Sequence, residues 1–439
     1  MPKENKFHAL CKGFLSGSII AIFLAGSAAS VYGDDSPSRW VASWGASQQL
    51  VEPGNALAPA DLRDATLRQI VHLSTGGNQI RLRLSNRFGD TPLHMTAVHV
   101  AVATSPASAK ILAATDKTLT FSGAAEVTIP EHADYLSDPI SFSVAALSDV
   151  AITLHVDAAP DEQTGHPGSR ATSYLVHGNL VSAAEFSNPK TVDHWYFIAG
   201  IDVAASPDAH AIVVLGDSIT DGHGATTNGN DRWPDVLAAR LQAQSNSSAI
   251  SVVNQGIGGN HLLTDGLGPN ALSRLDQDVL VQPGIRYLIV FEGINDIGLL
   301  ARKGEVPPAE HELSVRRITA AYEQIVARAH DHGISVIGAT ILPFAGSDYY
   351  HPGPQNEADR QTVNAWIRAS GHFDVVIDFD KVARDPEHPE RLLPAYDSGD
   401  HLHPSPAGYA AMARSISLPL FGVAPEAAPQ IENSNVPKN

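Results

Sequence analysis

Cysteine is almost absent from the sequence. The single cysteine among the 439 residues is Cys11, which precedes an apolar stretch at residues 14–29. A lipid-modified bacterial cysteine would not lie before this stretch. If this N-terminal segment is removed, the mature chain has no thiol. The sequence then excludes disulfide bonds and a cysteine nucleophile, so the stability of the mature protein must come from packing.

Basic residues are scarce relative to acidic ones, with 29 Lys and Arg against 47 Asp and Glu. This excess of negative charge repels phosphate backbones and anionic membrane surfaces, so we expect no nucleic-acid partner. Long hydrophobic runs are also lacking after residue 33, since none approaches the roughly 18 residues of a membrane-spanning helix. We expect a soluble mature chain without stable membrane association.

The first 33 residues have the pattern of a secretory signal peptide. Its apolar centre is residues 14–29, and cleavage after Gly33 places Val31 and Gly33 at the positions that the peptidase reads, with Ala29 as a competing site. An uncleaved membrane anchor is the alternative, but about 16 residues are short for roughly 30 Å of hydrocarbon. The segment begins with the basic residues Lys3, Lys6 and Lys12. We therefore expect a secreted or periplasmic protein.

Residues 40–203 show the alternation of apolar and polar residues that is typical of strands with one buried face. Ile80, Leu82 and Leu84, for example, alternate with arginines. Turn-forming segments recur between such runs, and no long helical period is present. The pattern predicts an all-β sandwich domain over residues 34–205, with a jelly roll as one candidate topology.

The pattern changes near residue 206, where short continuous apolar runs begin to alternate with helical stretches. This is typical of a parallel sheet covered by helices on both faces, and it predicts an α/β domain over residues 206–421. Helices are predicted over residues 313–330 and after Ser405, and a disordered tail over residues 422–439. The predicted strands are 211–215, 250–254, 287–291, 334–341 and 375–378.

Ser218 follows the first of these strands, in the triplet Gly216-Asp217-Ser218. It therefore lies at the carboxyl end of a strand, where open α/β sheets bind ligands. The glycine permits a tight turn, but the same triplet is also common in ordinary turns. A nucleophilic role for Ser218 therefore requires partners elsewhere in the sequence.

The segment Asp400-His401-Leu402-His403 offers such partners. A serine needs a general base, which a third group must orient. The spacing of three lets Asp400 accept from Nδ1 of His403 while Nε2 faces the serine. His401 is the alternative base, and the two histidines with the aspartate suggest a transition-metal site as the alternative chemistry. We favour His403 and no metal, because His401 lies too close to Asp400 in sequence to reach back to it.

Two further segments offer hydrogen-bond donors for a developing oxyanion. Residues 254–260 are glycine-rich, so their backbone N–H groups can turn towards a site. The alternative interpretation is a phosphate-binding loop, but the segment lacks the Gly-Lys-Ser/Thr ending of a P-loop. Asn295 follows the strand at 287–291 and offers a side-chain amide, although Asn-Asp is also a common turn.

These segments, in this order, resemble the four sequence blocks of the SGNH, or GDSL-type, hydrolase superfamily, and the resemblance covers about residues 210–420. It implies a three-layer α/β/α fold and no cofactor. In the second block either Gly258 or Gly259 fits, and alignment on the preceding strand favours Gly259. The resemblance further implies a triad of Ser218, His403 and Asp400, with an oxyanion hole formed by the backbone N–H groups of Ser218 and Gly259 and the side chain of Asn295.

The N-terminal region looks like that of larger secreted GDSL-type hydrolases, through residues 40–44 and 84–89. The two-domain arrangement is similar to that of carbohydrate acetylesterases, which implies a serine esterase for short-chain or acetyl esters on a small molecule or a polysaccharide. The alternatives are a lipase or lysophospholipase, an acyltransferase with the same residues, and a glycan-binding protein with a silent hydrolase domain. Candidates for an acyl or sugar subsite are Trp233, His261, Phe344, Tyr349, Tyr350 and His351.

Overall fold

A computed structural model of the chain describes residues 39–244 and 249–423. The predicted signal peptide and the predicted tail beyond residue 423 lie outside the described residues. The described residues belong to one compact unit, and the domain boundary near residue 206 stays a prediction. Within the described ranges, no helix is both long enough and apolar enough to cross a membrane.

The alternating sequence before residue 206 forms β-strands, with one 3₁₀ turn at Ala113–Thr115. The strands are β1 (Arg39–Gly45), β2 (Gln49–Leu50), β3 (Ala65–His72), β4 (Gly77–Ser85), β5 (Leu93–Val102), β6 (Lys117–Thr118), β7 (Val127–Ile129), β8 (Asp134–Leu136), β9 (Ile140–Val144), β10 (Asp149–Val156), β11 (Thr164–His166), β12 (Ser173–His177), β13 (Lys190–Val192), β14 (Trp195–Tyr196) and β15 (Ile198–Ala205).

These strands form antiparallel sheets around a shared apolar core. One sheet has the order β1-β15-β4-β8, with β9 also on β4, and the other has the order β13-β12-β3-β10-β5-β6, with β7 also on β5. Leu82 of the first sheet and Leu67 and Leu154 of the second belong to the same buried cluster. The predicted all-β architecture is confirmed, and two antiparallel sheets on one core are consistent with the predicted sandwich. The first half also contains a small third sheet with the order β14-β11-β2.

The second half of the described chain alternates strands with helices. A π-helical turn at Asp276–Leu280 and a 3₁₀ turn at Leu418–Phe421 complete it. The elements are β16 (His210–Gly216), α1 (Ser218–Asp221), α2 (Trp233–Gln242), β17 (Ile250–Gly256), α3 (Ala271–Leu275), β18 (Ile285–Phe291), α4 (Ile294–Arg302), α5 (Pro308–Asp331), β19 (Ser335–Ala339), α6 (Pro354–Arg368), β20 (Val375–Ile377), α7 (Phe379–Ala383) and α8 (Pro406–Ser415).

The sheet of this half is parallel throughout, in the order β17-β16-β18-β19-β20. One group of helices, α2, α7 and α8, packs together, and α3 to α6 form a second group, which gives the predicted α/β/α layers. The predicted helix at 313–330 lies within α5, and the hydroxyl of Ser405 caps α8 by accepting from the Gly408 N–H at 3.4 Å.

The strand order explains where a site can form. Because β17 and β18 lie on either side of β16, the connections leave β16 in opposite directions, and a crevice opens at the carboxyl ends of these strands. The segments that follow the three strands therefore meet there. They carry Ser218, Gly259 and Asn295.

The two halves also share buried contacts. Val41 and Ala42 of β1 belong to the apolar cluster of the α/β half, and the Ala42 N–H donates to the Pro283 carbonyl at 2.9 Å. A buried histidine of β11, His166, contacts Asp221 of α1 through Nε2 and Oδ1 at 2.8 Å. The small third sheet of the first half thus packs directly against the helix that begins with Ser218.

Candidate active site

Ser218 is presented by a tight strand-turn-helix connection. The carboxylate of Asp217 accepts from the Ile219 N–H at 2.9 Å and caps α1. Gly216 is required before it, because a Cβ there would lie 2.2 Å from Oγ1 of Thr220. The connection holds the Ser218 hydroxyl at the carboxyl end of β16.

The structure brings Ser218, His403 and Asp400 into one hydrogen-bonded chain. The Ser218 Oγ lies 2.8 Å from Nε2 of His403, and Nδ1 of His403 lies 2.6 Å from Oδ2 of Asp400. A carboxylate only accepts hydrogen bonds, so Nδ1 carries the proton and Nε2 is free to accept from the serine hydroxyl. This geometry suits removal of the Ser218 proton by His403.

Asp400 is held as a carboxylate. Its Oδ1 accepts the backbone N–H groups of Leu402 at 3.0 Å and His403 at 2.8 Å. Burial by itself raises the pKa of Asp400, but the hydrogen bonds from the His403 ring and from these N–H groups outweigh it and hold the pKa well below its ordinary value. The carboxylate is therefore charged at neutral pH and can orient the imidazole.

His401, the alternative base, is directed elsewhere. Its Nδ1 lies 2.6 Å from Oδ2 of Asp397, and about half of its side chain is exposed. Within the described ranges, the potential ligand atoms that lie within 4.8 Å of one another belong to His223, Asp400 and His403. Both ring nitrogens of His403 are engaged with a serine and a carboxylate, so the contacts of this group suit acid–base chemistry rather than metal binding.

Asn295 is the second residue of α4, which follows Gly293 with its φ of 107°. Its Nδ2 donates to the Asn260 carbonyl at 2.7 Å, and its Oδ1 accepts from Oη of Tyr350 at 2.7 Å. The Asn260 carbonyl can only accept, so it fixes Nδ2 as the donor end of the amide. Burial raises the pKa of Tyr350, so its phenol stays protonated and keeps a proton to donate to Oδ1.

The close approach of Tyr350 to α4 depends on Gly298. A Cβ at Gly298 would lie 2.6 Å from the Tyr350 ring. Gly298 lies three residues after Asn295 on the same helix face, so the absent side chain leaves room for the phenol to reach the amide. Gly298 therefore acts through Tyr350, whose hydroxyl holds the Asn295 amide, and it does not line the cavity.

The glycine-rich segment after β17 lies on the other side of Ser218. Gly258 and Gly259 both line the pocket, and Gly259 has a φ of 66°. The choice between them as N–H donor therefore stays a prediction from the sequence alignment. Leu267 lies 3.5 Å from the position that a Cβ on Gly259 would take.

The residues around Ser218 enclose a cavity of about 630 Å³. Tyr349 is largely exposed, and its ring lies 3.7 Å from the Arg302 guanidinium carbon. The cavity is therefore large enough for a small ester and open to a larger alcohol. Its lining is Ser218, His223, Gly258, Gly259, Leu267, Asn295, Asp348, Tyr349, Tyr350, Gly399, Asp400, Leu402 and His403.

The structure separates the six subsite candidates. Tyr349 and Tyr350 line the cavity, whereas the other four do not. Trp233 is completely buried beneath the site, where its ring packs against Phe379 at 5.3 Å, so placing it in a substrate subsite is wrong. Phe344 is buried behind Tyr350, with ring centroids 6.2 Å apart.

The two remaining candidates are histidines. His261 is buried in the turn after β17, where the ring lies against Gly266, and this packing keeps it out of the cavity. His351 is exposed in the turn before α6, and it does not reach the lining. Neither histidine therefore supports a subsite.

The sequence reasoning missed several residues of the site. His223 lines the cavity, five residues after Ser218, and its position in the same glycine-bracketed loop was a usable signal. Gly399 and Leu402 also line the cavity, and they border Asp400 and His403 in the segment that the sequence had singled out. Leu267 and Asp348 lie in two other loops and carry no local signal.

Buried carboxyl groups lie beneath the nucleophile. Burial raises the pKa of Asp217 to about 7 and that of Asp296 to about 6, and it raises the pKa of Glu292 well above its ordinary value. Arg274 contacts Glu292 at 3.3 Å and also donates to the Gly216 carbonyl at 3.0 Å. Arg274 thereby connects the buried carboxyl group of Glu292 to the end of β16.

Residues 214–411 match the profile of a family described as GDSL-like lipase/acylhydrolase. The chain carries a GDSL-like lipase/acylhydrolase domain. The matched range begins within β16 and ends within α8, so it contains Ser218, Asn295 and His403. The protein is a carboxylic ester hydrolase, and its GDSL-like domain lies in the α/β/α half that follows the β-rich half of the chain.

Solved structures show low global similarity to the chain. A protein of the G-D-S-L family from Desulfitobacterium hafniense is 27% identical over 47% of this chain and 96% of its own, with a TM-score of 0.35. Axe2, an acetylxylan esterase from Geobacillus stearothermophilus, is 23% identical over 49% and 95%, with a TM-score of 0.36. At these TM-scores the likenesses support no inference. No curated protein was found that matches the chain.

Proposed function

We propose that the protein is a secreted or periplasmic serine esterase in which Ser218 is the nucleophile and His403 its general base. The observation that carries the proposal is the continuous chain from Ser218 Oγ through the His403 ring to Asp400, with distances of 2.8 and 2.6 Å. It lies in the wall of the cavity at the carboxyl ends of the strands.

The proposed reaction has two halves. Ser218 Oγ attacks the ester carbonyl carbon while His403 Nε2 takes its proton, and the tetrahedral intermediate then expels the alcohol, which receives that proton from His403. A water molecule repeats the sequence on the acyl-enzyme and releases the acid. Asp400 remains a carboxylate throughout and stabilises the imidazolium that forms in each half.

The oxyanion of each intermediate needs donors beside Ser218. We assign this role to the second N–H of the Asn295 amide and to the backbone N–H groups of Ser218 and Gly259. Removal of one such donor typically lowers kcat by roughly 10²- to 10³-fold. Asn295 suits the role because Tyr350 occupies its Oδ1 and Asn260 takes only one of its two N–H groups.

The substrate we propose is a short-chain or acetyl ester, with carbohydrate as one class of alcohol. The open cavity of about 630 Å³ and the exposed ring of Tyr349 support it, because a sugar ring stacks readily on an exposed aromatic face. A panel of p-nitrophenyl esters of increasing chain length, run beside acetylated xylan, tests the assignment. Preference for long chains, with no acetate released from xylan, contradicts it.

Ser218→Ala tests the chemistry. We expect turnover of p-nitrophenyl acetate to fall by at least roughly 10⁴-fold, because the nucleophile is removed, while the thermal unfolding midpoint stays near that of the parent protein. Arg316→Met is a suitable control, since Arg316 is an exposed residue of α5. A Ser218→Ala protein that folds and still turns over the ester at the parent rate overturns the proposal.

The location rests on the sequence of the first 33 residues alone. N-terminal sequencing of protein recovered from the periplasm or the medium is expected to begin after Gly33 or Ala29. Recovery of the intact N-terminus in the cytoplasm contradicts the location and leaves the chemistry untouched.

A further inference from the structure

Arg170 belongs to the β-rich first half of the chain, yet its guanidinium reaches the loop that follows Ser218. It lies between β11 and β12 and has a φ of 50°. This backbone conformation is unfavourable for a residue other than glycine, so its surroundings must hold it. The Asn228 N–H donates to the Arg170 carbonyl at 2.8 Å, and Arg170 Nη2 lies 3.2 Å from Nδ1 of His223.

His223 lies directly against the proposed catalytic pair. Its ring centroid is 4.0 Å from that of His403, and its Nε2 is 3.7 Å from Oδ2 of Asp400, the oxygen that also accepts from His403. Both backbone polar groups of His223 are hydrogen-bonded. Its N–H donates to the Ser218 carbonyl at 2.8 Å, and the Tyr409 hydroxyl donates to its carbonyl at 2.5 Å.

The guanidinium determines the tautomer of His223. Arginine stays protonated and has only N–H donors, so Nδ1 of His223 must be the acceptor in this contact. The single ring proton of the neutral imidazole therefore lies on Nε2, facing Asp400. Protonation of Nδ1 would set an N–H against the guanidinium, so Arg170 also opposes a positive charge on this ring.

We infer that Arg170 and His223 form a positioning pair that keeps an uncharged, oriented imidazole beside His403 and Asp400. His403 becomes positively charged when it takes the Ser218 proton, and an uncharged neighbour adds no like-charge repulsion at that moment. The Nε2–H of His223 also faces the carboxylate that orients His403. The inference rests on the proposed function and gives the first half of the chain a part in it.

The environment of His223 is mixed in charge, and its net effect favours the uncharged ring. Burial comes first among the causes, and together with the adjacent His403 and Arg170 it lowers the pKa of His223 to about 4, against the opposing effect of Asp400 and Asp221. The charged and titratable groups that face the ring or its backbone are Arg170 from the β half, Asp221 from α1, Asp400 and His403 from the loop before α8, and Tyr409 from α8.

Arg170→Met is the first test, read from the pH dependence of kcat/KM on p-nitrophenyl acetate. Without the guanidinium, the pKa of His223 rises and the ring gains its proton at a higher pH. We therefore expect the acidic limb of the profile to move upwards by roughly half a pH unit or more. The matched control Arg316→Met removes an exposed arginine of α5 and is expected to leave the limb in place.

The same substitution in a His223→Gln background separates the pair from a direct effect of charge on His403. Glutamine does not titrate, so the upward movement should disappear if Arg170 acts through His223. An equal movement in both backgrounds, or an unmoved limb in Arg170→Met itself, overturns the inference. If either of these results is found while Ser218→Ala still abolishes turnover, the inference fails and the proposed function stands.

A second pair of variants decides the matter if Arg170→Met does not fold. Glutamine at position 223 keeps an N–H donor that can face Asp400, whereas phenylalanine keeps a stacked ring but has no donor. We expect His223→Phe to lower kcat by about 10-fold with KM unchanged, and His223→Gln to recover most of that loss. Equal kcat values for His223→Phe and the parent protein contradict the inference.

Discussion

The amide of Asn295 is oriented by two hydrogen bonds, one accepted from Tyr350 and one donated to Asn260. Tyr350→Phe removes the first bond and leaves the ring packing unchanged. We expect kcat for p-nitrophenyl acetate to fall by about 10-fold with little change in KM, because the bond positions a donor that acts in the transition state. Asn295→Ala should remove most of the benefit of Tyr350, so the two substitutions together should cost little more than Asn295→Ala alone.

Tyr349→Phe is the control for this test, because the neighbouring tyrosine is largely exposed and its ring contacts Arg302 rather than Asn295. A Tyr350→Phe enzyme with the kcat of the parent protein, or effects that simply multiply with those of Asn295→Ala, would show that the hydroxyl does not orient the amide.

At the scale of single residues, the sequence predicted contacts between residues that lie close together in the chain. Asp400 and His403 lie three residues apart, and the structure joins them at 2.6 Å. The contact between His223 and Arg170 joins residues 53 positions apart and depends on how the β half packs against α1. Trp233 was misread because a tryptophan after a loop resembles a surface residue, whereas it begins α2 and points into the core.

At the scale of elements, the segment between β11 and β12 is packed tightly against α1. A Cβ on Gly168 would lie 1.8 Å from Oδ2 of Asp221, while Oδ1 of the same carboxylate contacts His166. Gly168→Ala should therefore push the two elements apart. We expect the free energy of unfolding to fall by roughly 1–3 kcal/mol and kcat to fall with it, as measured by urea unfolding and ester turnover.

Gly54→Ala is the matched control, because a Cβ at that position meets no atom within 4 Å. Both glycines have backbone conformations that alanine can adopt, so the comparison isolates the steric contact. Equal stabilities of the two variants would contradict a tight fit between this segment and α1.

Periodicity predicted the elements better than their ends. The predicted strand at 250–254 continues to Gly256 as β17, because its last two residues still pair with β16. The predicted helix at 313–330 begins earlier, at Pro308, since proline fits the first turn of a helix. Pairing and capping depend on neighbours that a periodic pattern does not contain.

At the scale of the whole molecule, the β sandwich and the α/β half share a core. Val41 and Ala42 are buried in the cluster of the α/β half, and Ser47 Oγ donates to Oε1 of buried Gln255 at 2.7 Å. A chain shortened to residues 206–439 would expose this apolar surface and leave buried polar groups without partners. We expect it to be less soluble and to unfold at a lower temperature than the full chain.

Soluble yield, the thermal unfolding midpoint and kcat/KM of the shortened chain measure this dependence. A shortened chain with the midpoint and kcat/KM of the full protein would contradict it. The β-rich architecture was readable from alternation in the sequence, but this dependence was not, because contacts such as that of Ser47 with Gln255 join residues 208 positions apart.

The nucleophilic role of Ser218 is the central claim, and covalent labelling tests it most directly. The protein is treated with a fluorophosphonate, and intact-mass and peptide mass spectrometry then locate the adduct. We predict one adduct, on Ser218, with turnover lost in proportion to labelling and no adduct on Ser218→Ala. An adduct on another residue that abolishes turnover, or full turnover after complete labelling of Ser218, would contradict the account.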